Sequence, residues 1–514
     1  MSKTIIIIGA GLAGLSAALQ AAENGCNVKL VSSLPSERAQ SVMAEGGINA
    51  ALNTKDENDS PEEHFTDTIK AACGLADPNA VWGMTQAAPE LVHWLLKLGV
   101  KFNMSGHDDV DLRNFGGQKK KRTAFAQSDT GKQIMTAMID AVRRKEASGM
   151  VERFSHHSFL TLRLCGNICC GCVIRDEYSQ ETVELPGDAV IVATGGMHGL
   201  FGNTTGSLSN TGEVTAELFR LGVPLANGEM IQYHPTTVKC GGKRMLISEA
   251  ARGEGGRLFA MKDGKQWYFM EEKYPELGNL MPRDITAREI WKVSHESEVF
   301  LDMTEISEEI ISNKLSGLAD DCMTYLHKDI RKEPVSVLPG IHYFMGGILV
   351  DEQHRTPIQN LYAAGECCAQ YHGANRLGGN SLLGALYGGR VAAKSACEQA
   401  DVVDLSCATQ IDFPPTSQIS EIKQLNKVMQ ETMGVVRNEN TLLNGIQTVQ
   451  ALTGNLPLLG MAVLKSALAR KESRGAHWRE DYPKSNDDDY LKTTVARFDG
   501  KQIQISFVPV PERR

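Results

Sequence analysis

Thr4-Ile5-Ile6-Ile7-Ile8-Gly9-Ala10-Gly11-Leu12-Ala13-Gly14 is an unbroken apolar run followed by three glycines at G-x-G-x-x-G spacing. The run Thr4–Ile8 predicts a buried strand, the stretch from Leu12 to about Asn24 a helix, and residues 27–31 a second strand. In such a βαβ opening each glycine has a task. Gly9 makes the turn, Gly11 lets backbone approach a pyrophosphate, and Gly14 lets helix pack closely on strand. The helix N-terminus then offers its amides to the phosphates. Residues 4–22 are apolar enough to suggest a membrane span, but the glycine spacing supplies its own explanation. After the second strand, an acidic residue usually holds the ribose hydroxyls. Here Ser32-Ser33 follows, and a serine hydroxyl can make that bond. Glu37 is a competing candidate.

At 514 residues the chain exceeds what one core supports, since single cores stop growing near ~250–300 residues. Two or three domains are expected. A hydrophobic fraction of 42% and a charged fraction of 22% fit a globular protein. The formal charge of −9 argues against a nucleic-acid partner, and the basic run 119–122 reads as a solvated loop. With no signal peptide, the 12 cysteines read as free cytosolic thiols. Cys165, Cys169, Cys170 and Cys172 fit neither zinc-ribbon nor ferredoxin spacing. They read as small apolar side chains of a hairpin, 158–165 and 168–176, turning at Gly166-Asn167, and no metal site is expected.

Farther along, 36–53 reads as loop, 62–100 as helices and 188–192 as a strand. From 227 to 345 the βαβ rhythm gives way to glycines, charged pairs and short helices. The first texture returns with strands at 348–350 and 361–363 and a helix over 382–397. Residues 415–478 read as amphipathic helices and 493–508 as a strand pair. A second cluster, Ala364-Gly365-Glu366, suggests a dinucleotide gripped from both ends of the chain, which suits a tightly held flavin better than an exchanging nicotinamide. The expected fold is α/β: a Rossmann-like dinucleotide-binding domain (1–226 and 346–405), an inserted α+β capping domain (227–345), and a C-terminal helical domain with short terminal strands (406–514).

Further motifs run through nearly the whole chain: Ala44-Glu45-Gly46-Gly47, Asn114-Phe115-Gly116-Gly117-Gln118, Ala193-Thr194-Gly195-Gly196 and Gln232-Tyr233-His234-Pro235-Thr236. They continue with Ser248-Glu249-Ala250-Ala251-Arg252-Gly253-Glu254-Gly255-Gly256, Pro282-Arg283-Asp284 and His342-Tyr343-Phe344-Met345-Gly346-Gly347. Last come His372-Gly373-Ala374-Asn375-Arg376-Leu377-Gly378 and the segment 472–483. In kind and order these resemble the flavoprotein subunits of fumarate reductase and succinate dehydrogenase, a superfamily that includes L-aspartate oxidase.

The resemblance implies FAD, held by Gly9, Gly11, Ala13, Gly14, Ser32, Gln40, Ala44, Glu45, Gly46, Gly47, Ala193, Thr194, Gly195, Glu366, Arg376, Ser381 and Leu382. It implies an active site between cap and flavin, with His234, Ser248, His342 and Arg376 on the substrate carboxylates and Phe115 against substrate and flavin. Arg forks and single His or Ser donors suit carboxylates, and charged histidines would hold a dianion better. Arg283 matches the family's proton donor. Glu249 and Arg252 match its relay to solvent, and their i, i+3 spacing can place both on one side of a turn. Arginine is an unusual acid, with a pKa above ~12 in water, so it works only if its proton is resupplied at once.

Two departures bear on function. Where respiratory members carry the histidine that bonds covalently to the flavin, this chain has Gln40, which predicts non-covalent FAD and a bias toward fumarate reduction. The family's usual threonine is Ser248 here, which keeps the hydroxyl. The expected activity is FAD-dependent reduction of fumarate to succinate. L-aspartate oxidase is the alternative, but that family typically has an acidic residue where Phe115 stands. A non-catalytic flavin-binding electron-transfer or assembly subunit is the third reading. An iron–sulfur subunit or another external donor is expected as partner, with no membrane span in the chain itself. A cytoplasmic location follows, peripheral at most through a partner.

Overall fold

The computed structural model describes residues 2–106, 109–401, 413 and 418–514. Its centre is a five-stranded parallel sheet in the order Leu361–Ala363, Ala189–Val192, Thr4–Ile8, Asn27–Ser32, Val151–Ser155. Thr4–Ile8 is the middle strand, and Ile5, Ile6 and Ile7 are fully buried. A strand covered on both faces needs apolar residues at every position, which is why it reads as a run rather than an alternation. The helices Leu12–Glu23 and Asn380–Gln399 share one core with Ile5 and Ile7. The other face, with Ile6 and Ile8, packs on an antiparallel sheet formed by His157–Cys165, Ile168–Asp176 and Thr182–Pro186.

That sheet contains the expected hairpin, turning through Gly166 at φ +58°. Cys169, Cys170 and Cys172 are buried free thiols within it. Cys165 departs from the expectation of free thiols throughout, being disulfide-bonded. Among the described residues no group of three or more His, Cys, Asp or Glu side chains is arranged to hold a metal. No helix among them is long and apolar enough to cross a membrane.

The middle of the chain leaves and re-enters through neighbouring strands: Leu225–Ala226 pairs antiparallel with Gly347–Leu349. Lys492–Phe498 pairs on the other side of Leu225–Ala226 and with Ile503–Pro509, so the expected terminal strand pair is part of this sheet. Between entry and exit lie two small antiparallel sheets. One contains Lys243–Leu246, Ile231–Cys240 and Leu338–Phe344, the other Arg257–Lys262 and Val299–Asp302. The short helices Glu249–Gly253 and Arg283–Val293 accompany them.

The tail helices are Ile419–Thr432, Glu439–Val449 and Asn455–Ala469. Residues 415–417 of the expected helical stretch lie outside the described residues. Helix ends at Ala469 rather than continuing to 478, because the side chains beyond it are fully engaged elsewhere. Arg470 donates to Glu229 at 2.7 Å and to Glu472 at 2.7 Å. Arg474 also pairs with Glu472, and Arg479 with Asp481. These groups are buried, so each guanidinium must find its acceptors in the fold.

Candidate active site

One cavity of about 570 Å³ is lined both by the dinucleotide motif and by the carboxylate-binding candidates. At its dinucleotide end the wall is largely backbone. Gly9, Gly11 and Ala13 face the cavity. Gly11 has no side chain to cap the first helix, and its first turn carries no acidic residue, so the amides after Leu12 are left for an anion. Ser41 Oγ accepts from Leu12 N at 3.2 Å. Gly14 is not on the wall. A Cβ there would lie 1.8 Å from Gly9 O, so it serves the close packing of helix on turn.

Ser32 lines the cavity, and its buried hydroxyl has no hydrogen-bond partner among the described residues. An orphaned hydroxyl facing a cavity fits a ribose. Glu37 is instead an exposed ion pair with Arg143 at 2.6 Å and does not line the cavity. Gln40, Ala44, Glu45, Gly46, Gly47, Ala193, Thr194, Gly195, Glu366, Ser381 and Leu382 all border the cavity. Arg113 holds the Glu45-Gly46 loop from behind, donating to Gly46 O at 3.0 Å and Glu45 O at 3.1 Å. Burial pushes the Glu45 carboxyl up to about 8, with Asp321 raising it further and Arg113 opposing.

At the other end the wall is made of charged side chains from distant segments. Arg283, at the start of its helix, directs Nε and Nη2 at Glu249 Oε2 (2.8 and 2.6 Å). Its Nη1 donates to Gln232 Oε1 at 3.1 Å. Arg376 Nη2 donates to the same Gln232 oxygen at 3.0 Å, and its guanidinium lies 4.4 Å from the Tyr343 ring centroid. Gln232 thus ties the two arginines together. It lies inside a motif legible in sequence, yet only the fold gives it this task.

Glu249 also accepts from Gly116 N at 3.0 Å, an approach a side chain at 116 would block, since a Cβ there would lie 2.6 Å from Glu249 Oε1. Arg252 Nη2 lies 3.5 Å from Glu249 Oε1, so the expected shared side of a turn exists. Arg252 itself is behind the cavity wall, donating to Asn279 O at 2.6 Å. Burial acts to raise the Glu249 pKa, but Arg283 and Arg252 together with hydrogen bonds from Arg283 and Gly116 leave it below the usual carboxylate value.

Ser248 caps the helix Glu249–Gly253, accepting from Ala250 N, and lines the cavity. Phe115 is buried and lies against Gly46 and Gly378, between the two loops. The rings of His234 and His342 are 5.2 Å apart. Charged rings would hold a dianion better, but burial, reinforced by Arg283, keeps both pKa values well below 6.5. They are neutral single N–H donors, and the arginines carry the positive charge.

A family model described as an FAD binding domain matches residues 4–382, and one described as the fumarate reductase flavoprotein C-terminus matches 452–513. The succinate dehydrogenase flavoprotein subunit of Bacillus subtilis is 38% identical over 100% of this chain and 98% of its own length. The 8-methylmenaquinol:fumarate reductase flavoprotein subunit of Wolinella succinogenes is 32% identical over 100% of this chain and 92% of its own. The structure of E. coli quinol fumarate reductase FrdA superposes with a TM-score of 0.90 at 27% identity, covering 99% of this chain and 97% of that one. The chain is an FAD-dependent oxidoreductase acting on CH–CH bonds and belongs to the succinate dehydrogenase/fumarate reductase flavoprotein family.

Proposed function

We propose that this protein reduces fumarate to succinate. The observation that carries the reading is Arg283: a buried guanidinium on the wall of the cavity it shares with the dinucleotide site, anchored by Glu249 and Gln232. Three of its five N–H groups are used in those bonds, and none of the described residues takes the other two.

When bound, FAD supplies the two-electron carrier whose reduced form delivers a hydride to one alkene carbon. Arg283 gives a proton to the other carbon and takes one back through Glu249, whose carboxylate it already touches. Arg252 holds Glu249 from the far side. Arg376, His234, His342 and Ser248 bind the two carboxylates, and their positive and N–H dipoles stabilise charge developing on the substrate. Phe115 closes the cavity with an apolar surface that offers no partner to an ammonium group, which favours a plain dicarboxylate over an amino acid.

FAD is bound non-covalently, Gln40 having no nucleophilic ring nitrogen to join the flavin. Electrons reach it from a separate donor such as an iron–sulfur subunit, and the protein works in the cytoplasm, peripheral to a membrane only through that partner. Its relatives named above are likewise subunits.

The test is an anaerobic assay of FAD-loaded protein with reduced viologen and fumarate, beside succinate with an acceptor dye and L-aspartate with oxygen. Fumarate should oxidise the dye, and Arg283→Ala should cost roughly 10⁴-fold or more in kcat while FAD stays bound. Peroxide formation from L-aspartate with little fumarate turnover would move the protein to the oxidase reading. Acid precipitation should release all of the flavin; yellow protein in the pellet would disprove non-covalent binding.

A further inference from the structure

Thr205 has no motif around it, and nothing in its sequence context marks it. The fold places it on the cavity wall beside His342, with its hydroxyl 2.8 Å from His342 Nδ1. The two residues come from different parts of the chain. The 203–206 loop follows the parallel sheet, and His342 lies on the strand Leu338–Phe344 that closes the substrate end. The loop is pinned there by its backbone: Thr205 N donates to Ile341 O at 3.0 Å, Thr204 bridges to Ile341, and Arg244 N donates to Thr204 O. The Thr205 backbone is therefore held in place, with its hydroxyl beside the ring.

We propose that Thr205 is a positioning residue that sets the tautomer of His342, donating its hydroxyl proton to Nδ1 so that the ring carries its own proton on Nε2. The hydroxyl has one proton to give. Its other acceptor within reach is Ile341 O at 3.4 Å, too long for a good O–H···O bond, so the 2.8 Å bond to Nδ1 takes the proton. Nε2 makes no hydrogen bond to any described residue, and His342 lines the cavity. A neutral ring with its hydrogen on Nε2 is a ready donor to a carboxylate. The opposite tautomer would present a bare lone pair to an anion.

The surroundings enforce neutrality. His342 faces Arg283, Arg376 and His198 as charged or chargeable neighbours, with His234 5.2 Å away. A second positive charge on the imidazole is disfavoured in that company. Since the ring cannot bind substrate by becoming cationic, which nitrogen holds its single proton decides whether it binds or repels. His198 braces the same loop, its Nδ1 3.1 Å from Thr204 Oγ1 and its Nε2 3.6 Å from Glu366.

The assignment of the ring as a carboxylate donor rests on the fumarate reading, but the tautomer can be measured without turnover. The experiment is ¹⁵N NMR of the FAD-loaded protein with labelled histidine, with and without succinate, using His342→Gln to identify the signal. In the wild type His342 should show the neutral Nε2–H form. In Thr205→Val, of similar shape but without the hydroxyl, the signal should move toward a mixture of tautomers, and Thr205→Ser should restore it. KM for fumarate should rise roughly three- to tenfold in Thr205→Val with kcat little changed, and return in Thr205→Ser. An Nδ1–H or doubly protonated His342 in the wild type, or a Thr205→Val spectrum identical to it, overturns the proposal even if fumarate is turned over. An Nε2–H signal that depends on Thr205 in a protein inert toward fumarate would uphold it and remove the activity reading alone.

Discussion

At the dinucleotide end of the cavity the wall is peptide backbone within a few residues of one strand–turn–helix unit: Gly9, Gly11, Ala13 and the open amides of the first helix. At the substrate end the same cavity is closed by side chains from segments far apart in sequence, with Gly116, Gln232, Glu249, Arg283 and Arg376 joined in one buried network. The first end depends on what is absent, since no Cβ fits at Gly9 or Gly14, where chain must approach chain. The second depends on what is present and paired, since buried charge persists only when its partners are in place. The two ends should therefore fail in different ways.

The largest effect is expected at the backbone end. Gly14→Val would drive a side chain into Gly9 O, where even a Cβ would lie 1.8 Å away. We expect loss of more than about 4 kcal/mol of stability and no retained flavin, read from thermal unfolding and the ratio of flavin to protein absorbance. A yellow, stable variant would show that the turn can relax and would remove the contrast.

At the paired end, Glu249→Gln should leave FAD content intact while kcat falls roughly 10²- to 10⁴-fold. It leaves Arg283 and Arg252 buried without their carboxylate, so stability should drop by about 3–5 kcal/mol. A pH series sharpens the test. The folded pKa of Glu249 lies below its usual 4.5, so the stability it contributes is complete above pH 4.5 and is lost as pH falls through the folded value. The gap between wild type and Glu249→Gln should narrow below pH 4.5. An unchanged gap in acid would mean that the arginines are neutralised by something else.

The smallest effect is expected where the two designs meet, at Glu45, a side chain in a backbone-built loop. Its folded pKa is raised from 4.5 to about 8, so the folded state holds a proton that the unfolded state gives up, and stability falls as pH rises from 4.5 toward 8. Glu45→Gln removes that dependence. It should unfold at nearly the wild-type temperature at pH 5 and at a higher one at pH 8, by at most about 3–4 kcal/mol. Equal melting at both pH values would show that Glu45 ionises without cost.

Legibility followed the same division. The strand Thr4–Ile8, the first helix, the strand Leu361–Ala363 and the closing strand pair could be read directly, because period, glycine spacing and burial on both faces are local properties of the chain. The helical reading of 470–478 failed because a run of alternating charges looks amphipathic until its arginines are seen to be buried and paired, Arg470 with Glu229 of another segment and Arg479 with Asp481 two residues on. The site residues could be collected from motifs, but their connections could not. Gln232 as the bridge between two arginines, Arg113 behind the Glu45-Gly46 loop and Thr205 against His342 are facts of proximity.

The amino-acid sequence alone determined the dinucleotide turn, the α/β class and the chemical types available to a dicarboxylate site, because turn geometry and donor inventory belong to individual residues. The tertiary structure decided that His234 and His342 are neutral, that Glu37 lies outside the site, and which hydrogen bonds aim Arg283. Those depend on desolvation and on charges brought within a few ångströms by segments 34 to 144 residues apart, and burial of that kind exists only once the chain has closed on itself.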